Sequence, residues 1–460
     1  MATIGKHAVV LGASMGGLLA ARALAEFFDT VTLVERDVLP DGPVQRRGVP
    51  QGRHAHGLLS GGLRALAELF PGLPEELAAD GATVLEGTSL SDISLTFGGH
   101  TLNRGQLTQP IESYLASRPF LEGHIRDRVR AIENISILDG HDAVELLMTD
   151  ARRVTGVLVA DRSDSAGRAI TADLIVDAMG RAGRTPAFLD SAGFGRPAED
   201  RIEVQVAYSS QLLRFGDNAP HERLTLVGAV PERPCGASLF AYEDNTWLLT
   251  TAGMTGQEPP ADLAGMIGFI EEFMAPGMVA ALRSAQPLGP VAKFRYPASV
   301  RRRYERMTRF PDGLLVFGDA ICSFNPVYGQ GMSVAALEAL ALRDCLARGA
   351  DDLGRRFLRA AADVVNTAWQ MASGADLALP QIPGPRPVSV RLSNWYTERV
   401  LTAAEGDPLV TEAFYRVMNL VDPPRRLLHP SIAARVAVGA SRRRRDTRPA
   451  AAEPTLAALR

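Results

Sequence analysis

A chain of 460 residues is long enough for about three packing units, at roughly 150 residues per domain. Its 46% hydrophobic and 22% charged residues suit a globular protein, and a formal net charge of −3 offers no basic field for nucleic acid. Three cysteines, odd in number and without metal spacing, imply no disulfide framework or zinc site; with no long apolar run, the expected compartment is a reducing cytoplasm, and no transmembrane segment is expected.

The first predicted strand, Ala8 to Leu11, runs into Gly12-Ala13-Ser14-Met15-Gly16-Gly17 and then into a helix rich in small residues. Such a turn lets the backbone approach a pyrophosphate, and the helix N-terminus aims unpaired N–H groups at it. Ser14 stands where a glycine is usual, and serine is small enough to keep that approach open. A second strand over Thr30 to Val34 ends in Glu35-Arg36, which places an acid where a dinucleotide's ribose hydroxyls lie.

A helix is predicted from Tyr114 to Val129, carrying Arg118 and Glu122. Strands over 135–138, 144–147 and 154–159 follow, the last two as a hairpin or meander. Another buried strand, ending at Val176, delivers Asp177-Ala178-Met179-Gly180-Arg181 at its carboxyl end, where open α/β sheets bind ligands. Alternating segments between Arg184 and Arg301 predict a second, largely antiparallel sheet, and Gly193 to Pro197 reads as a loop.

Leu314 to Phe317 is the last predicted strand. It leads into Gly318-Asp319-Ala320 and then Pro326-Val327-Tyr328-Gly329-Gln330-Gly331-Met332, which opens a long helix. Asp319 is suited to a polyol chain, and a helix N-terminus at Gly329–Met332 to a ring that gains negative charge. Cys322 reads as a buried hydrophobe. Residues 346–440 are expected to be helical, and 441–460, with four consecutive arginines, a disordered tail.

These motifs resemble those of the group A FAD-dependent monooxygenases, the para-hydroxybenzoate hydroxylase-like superfamily, over residues 5–345. The stretches Arg46-Arg47-Gly48-Val49-Pro50-Gln51-Gly52-Arg53-His54-Ala55-His56 and Phe324 to Met332 resemble the actinobacterial polyether-epoxidase branch, distantly related to squalene epoxidase. The resemblance implies an α/β fold: a Rossmann-like FAD-binding domain (1–70, 101–185 and 302–345), a mostly antiparallel substrate domain (71–100 and 186–301) and a C-terminal helical region.

It implies FAD contacts at Gly12, Ser14, Met15, Gly16, Gly17, Glu35, Arg36, Arg47, Arg118 and Val144. Further contacts are implied at Asp177, Gly180, Gly318, Asp319, Pro326, Gly329, Gln330, Gly331 and Met332. Arg47, Gln51 and His54 are the side chains expected nearest the chemistry, the two loop histidines chiefly as hydrogen-bonding structural groups. Ala178 departs from the family's commoner Asp-Gly pair.

By resemblance, NADPH or NADH reduces FAD, O₂ adds to it, and a flavin C4a-hydroperoxide gives one oxygen to a hydrophobic secondary-metabolite intermediate in antibiotic biosynthesis. A flavin reductase or a carrier-bound substrate are further candidate partners. Epoxidation is favoured over hydroxylation because an alkene needs no protein base and no acid–base pair is evident in the chain. Alternatives are a geranylgeranyl-reductase-like C=C reductase and a non-catalytic flavin-binding accessory protein. A halogenase would want a lysine, and Lys6 and Lys293 lie outside any suitable motif.

Overall fold

The computed structural model describes residues 3–150, 152–163 and 167–446. Five short apolar strands form a parallel sheet in the order Leu314–Val316, Leu174–Asp177, Gly5–Leu11, Phe28–Val34, Ile135–Leu138. Ala8 to Val10 and Leu314 to Val316 are essentially inaccessible, as strands covered on both faces must be. The order brings the three turns, far apart in sequence, to the carboxyl ends of three adjacent strands.

The predicted meander is a three-stranded antiparallel sheet, His141–Met148, Val154–Asp161 and Gly167–Thr171. The second sheet is mostly antiparallel, and its long strands Glu199–Arg214 and Ala292–Arg302 pair along most of their length. One of its faces packs on the helices Leu263–Ile270 and Pro276–Ser284. The helices Val388–Ala404 and Pro408–Met418 share a core with Ile93, Leu95, Phe240 and Leu248 of the sheet.

Some element boundaries differ from expectation. The helix predicted from Tyr114 begins at Arg118, because Ser117 caps it through the Phe120 N–H and Pro119 can sit only in a first turn. Ser113–Leu115 pairs instead with Thr83–Leu85. Leu73 and Leu77 of the Leu73–Ala79 helix are buried in a hydrophobic cluster shared with the parallel sheet.

The helical region is divided: Leu353–Asp376 buries Phe357, Leu358 and Val365 in the first core, while the helices after it join the second sheet. Residues 441–446, expected in a disordered tail, continue the Pro430–Asp446 helix, consistent with arginine's helix propensity; 447–460 lie outside the described residues. Among the described residues no helix is long and apolar enough to cross a membrane.

Candidate active site

Gly12 adopts φ +98°, and a Cβ there would lie 2.8 Å from the Ala178 carbonyl oxygen, so both backbone and space call for glycine and the first and second turns touch. A Cβ on Gly17 would lie 1.7 Å from the Gly12 oxygen, which makes that glycine a packing requirement of strand against helix; Gly17 is buried off the cavity. The Met15–Leu24 helix has no side-chain cap. Ser14, at its N-cap, uses its hydroxyl elsewhere: it donates to Glu122 Oε2 at 3.2 Å and accepts from Arg118 Nη2 at 2.9 Å.

Glu122 is the centre of a buried clasp. It accepts from Arg118 Nε and Nη2 at 3.1 and 2.9 Å and from Arg46 Nε at 2.7 Å. Burial alone would favour its neutral form, but Arg118 and Arg46 hold its pKa below the usual range. Arg46 also donates to the Ala13 carbonyl at 3.2 Å, and its Nη1 stands 3.5 Å from both Glu35 and Asp37. Glu35 accepts from the N–H groups of Ala13 and Asp37 at 2.7 and 3.0 Å, so it supports the phosphate turn besides facing the cavity.

Gly12, Ser14, Glu35, Arg46 and Arg118 border a cavity of about 2030 Å³, twice the upper end of ordinary ligand pockets at roughly 1,000 Å³. At one end stand Gly12, Ser14 to Gly16, Glu35, Arg36, Arg118 and Val144. The ladder of His141–Met148 slips between Ala143 and Glu145, which leaves Val144 unpaired and its backbone free for a ligand. At the other end are Gly180, Gly318, Asp319, Pro326 and Gly329 to Met332. Gly331–Leu346, like the first helix, has no side-chain cap, so two bare helix N-termini open into one cavity.

Besides Gly17, two expected contacts lie off the cavity wall. Arg47 is exposed and off the cavity wall; its neighbour Arg46 is drawn inward by Glu122, which turns Arg47 outward. Asp177 is fully buried and off the wall: it accepts from the Met179 N–H at 2.9 Å and Thr185 Oγ1 at 2.5 Å, bracing its own turn. Gln51 lines the cavity as expected.

His54 and His56 line the cavity as neutral imidazoles. Burial, with Arg53, lowers His54 to about 4, and burial, with Arg118, lowers His56 likewise to about 4. His54 Nδ1 meets Ser210 Oγ at 2.8 Å, and its ring lies 5.7 and 5.6 Å from those of Tyr208 and Phe294. Tyr242 staples His56 through both its N–H and its carbonyl. The loop is thereby pinned to the second sheet.

The ring end also holds a group that the chain's motifs did not announce. Asp376, fully buried on Leu353–Asp376, accepts at one oxygen from Asn325 Nδ2 and Tyr328 Oη, both at 2.8 Å. Its other oxygen is buried without a partner among the described residues. A signal did exist: Asp376 falls on the apolar stripe of Val365, Ala368, Trp369 and Ala372. Arg46 and Glu122 were likewise missed as contacts, although Glu122 stands one helical turn from Arg118.

The site fits FAD. Gln330 Oε1 is buried on its wall without a hydrogen-bond partner among the described residues, and the bare helix ends suit a pyrophosphate and an anionic ring edge. No family model matches the chain. It is 38% identical over 426 residues to Protein Rv3254 of Mycobacterium tuberculosis, covering 90% of each chain. To kynurenine 3-monooxygenase of Salinispora tropica it is 24% identical over 371 residues, covering 74% of this chain and 72% of the relative.

Among solved structures, a flavoprotein/dehydrogenase from Cytophaga hutchinsonii superposes with TM-score 0.67 at 12% identity, over 97% of this chain and 100% of the other. The p-nitrophenol 4-monooxygenase PnpA from Pseudomonas putida DLL-E4 gives 0.65 at 15%, over 92% and 100%. At such identities the likeness is one of fold.

Proposed function

Because the chain belongs to the para-hydroxybenzoate hydroxylase-like superfamily of FAD-dependent flavoproteins, in one family with Protein Rv3254, we propose that it is a monooxygenase that inserts one oxygen atom into a large apolar molecule. The observation that carries this reading is the meeting of the three strand-end turns and two bare helix N-termini on one cavity. When bound, FAD supplies the redox and oxygen chemistry that no side chain here offers.

The residues divide the work. Backbone N–H groups of Ser14 to Gly16, with Arg118, would hold the pyrophosphate, and Glu35, Arg36 and Val144 the adenosine. Gly180, Gly318 and Asp319 would take the ribityl chain, and Pro326 with Gly329 to Met332 the ring. Leu95, Phe97, Leu226, Phe240, Leu401 and Phe414 make the remaining wall apolar, which excludes water and selects an uncharged polyketide- or terpenoid-like substrate. NADPH or NADH is the proposed reductant.

Epoxidation of an alkene is the first reading of the reaction, since it asks for no base. Hydroxylation of a phenol is the second, and a specific observation favours it: Tyr328 lines the cavity and is bonded to a buried carboxyl, which gives a phenolic proton a path away. Halogenation is disfavoured, because Lys6 and Lys293 are both exposed and off the cavity wall.

The test is to load the purified chain with FAD, supply NADPH or NADH, and offer large polyenes and phenol-bearing molecules. O₂ uptake with a product heavier by one oxygen atom is the expected result. Saturation of a C=C bond without O₂ uptake would make the chain a reductase, and absence of any turnover would leave only a flavin-binding accessory.

A further inference from the structure

The Val388–Ala404 helix leaves Val388, Leu392 and Trp395 76%, 60% and 51% exposed, at a spacing that puts them on one face. Leu428, on the neighbouring Pro424–Leu428 turn, is 63% exposed. Leu392, Trp395 and Leu428 also line the large cavity, so they stand at its mouth, in solvent and on the wall at once. Large apolar side chains gathered at one place on a surface mark an interaction site more than scattered ones do.

The same rim is cationic. By spacing Arg391 and Arg399 share the helix face, and the Arg399 guanidinium lies 3.7 Å from the Trp395 ring centroid. Arg425 and Arg426 are exposed on the turn. The acids nearby are engaged: Glu398 with His100 Nε2 at 2.8 Å, and Asp422 with Arg416 at 2.7 Å, Arg426 standing 3.9 Å from it. Among the described residues Arg391 and Arg425 make no ion pair.

We propose that this mouth docks on an anionic lipid surface, with Val388, Leu392, Trp395 and Leu428 at the acyl boundary and the four arginines among the headgroups. An exposed helix face that alternates tryptophan and leucine with arginine has the composition of an interfacial helix. Two copies meeting across this face would oppose like charges, which argues against self-association there. The consequence, that an apolar substrate passes from the bilayer into the cavity without crossing water, rests on the monooxygenase reading; the docking does not.

The full chain is centrifuged with sucrose-loaded vesicles of phosphatidylcholine, with and without phosphatidylglycerol. Binding to the anionic vesicles is expected, weakened by salt. Leu392→Asp and Trp395→Asp should each reduce the bound fraction by about tenfold or more, and Arg391→Glu with Arg425→Glu should remove the preference for phosphatidylglycerol. Val38→Asp, at a remote and equally exposed site, should change nothing. These side chains are exposed, so the variants fold.

Failure of the unmodified chain to bind, or binding that survives Leu392→Asp, would overturn the proposal. So would a dimer in sedimentation velocity that Leu392→Asp dissolves, which assigns the face to a second copy. A chain that docks but oxygenates nothing apolar keeps the docking and loses the functional reading; one that oxygenates without docking does the reverse.

Discussion

Tyr328 donates its phenolic hydrogen to Asp376 at 2.8 Å, joining the loop at the ring end of the cavity to a helix residue 48 positions further along the chain. Burial raises the Asp376 pKa to about 6, held there against the bonds from Asn325 and Tyr328, which favour the carboxylate. Asp376 is therefore an acid below that pH and an acceptor above it.

On a phenolic substrate, kcat/KM should rise as pH climbs through about 6, and Asp376→Asn should flatten that limb and lower the plateau by on the order of 10². Tyr328→Phe should do the same. On an alkene neither variant should matter beyond a few-fold. An identical pH profile for Asp376→Asn on the phenol would remove the second reading of the reaction.

Asp319 faces the cavity and makes no hydrogen bond to protein among the described residues. Asp319→Ala should leave the thermal stability of the FAD-free chain unchanged while weakening FAD by about tenfold or more, the worth of a charged hydrogen bond of roughly 1.5–3 kcal/mol. Flavin fluorescence titration reads the affinity. An unchanged Kd would mean that the ribityl chain lies elsewhere.

The neighbouring glycines of the first turn should behave oppositely. Gly17→Ala drives a methyl to 1.7 Å from the Gly12 oxygen, so little folded protein should be recovered. At Gly16 the nearest atom to a new methyl is 3.6 Å away, on Phe317, so Gly16→Ala should fold and lose FAD affinity by intruding on the cavity. Recovery of a stable, FAD-loaded Gly17→Ala protein would contradict the geometry.

Glu122→Ala takes the buried carboxylate from Arg118 and leaves Arg46 only its 3.5 Å contacts to Glu35 and Asp37, and should cost about 3–5 kcal/mol in stability, as breaking a buried ion pair does. Ser14→Gly removes two neutral-to-charged contacts and should cost on the order of 1–2 kcal/mol, with a smaller loss of FAD affinity. Urea melts of both variants and of their double variant test the coupling. Simple additivity would show that Ser14 is not part of the clasp.

Glu338, fully buried on Gly331–Leu346, accepts from the Gly318 N–H at 2.8 Å, and its other oxygen has no partner among the described residues. Burial raises its pKa to about 8. An unfolded glutamate ionises near about 4.3. The folded state thus binds the proton more tightly; its advantage is complete below about 4.3 and is lost as pH rises to about 8, by up to about 1.4 kcal/mol per pH unit. Glu338→Gln should therefore gain in Tm relative to the parent as pH goes from 5 to 8. Parallel Tm curves would argue against a buried acid there.

What was legible in the chain was local. Strand, turn, helix and acid lie within thirty residues of one another in the first motif, and Gly318 to Met332 is a single stretch, so backbone needs alone mark both. The loop histidines too could be read as structural, because short-range polar residues in a loop must find partners. Arg46 and Arg47 show the limit: adjacent and chemically identical, they are told apart by Glu122, which draws one inward and leaves the other in solvent.

Asp177 resembled a ligand contact until burial obliged it to brace its own turn through Met179 and Thr185. Val144 owes its free backbone to a slip in a ladder, and ladder register depends on the partner strand. Asp376 meets Tyr328 only because the core of the parallel sheet accepts the Leu353–Asp376 helix. The sequence by itself determined the turns and their backbone chemistry, since those follow from dihedral freedom and spacing. Which charged side chain faces the cavity was decided by the tertiary structure, because a buried charge points wherever its partner lies.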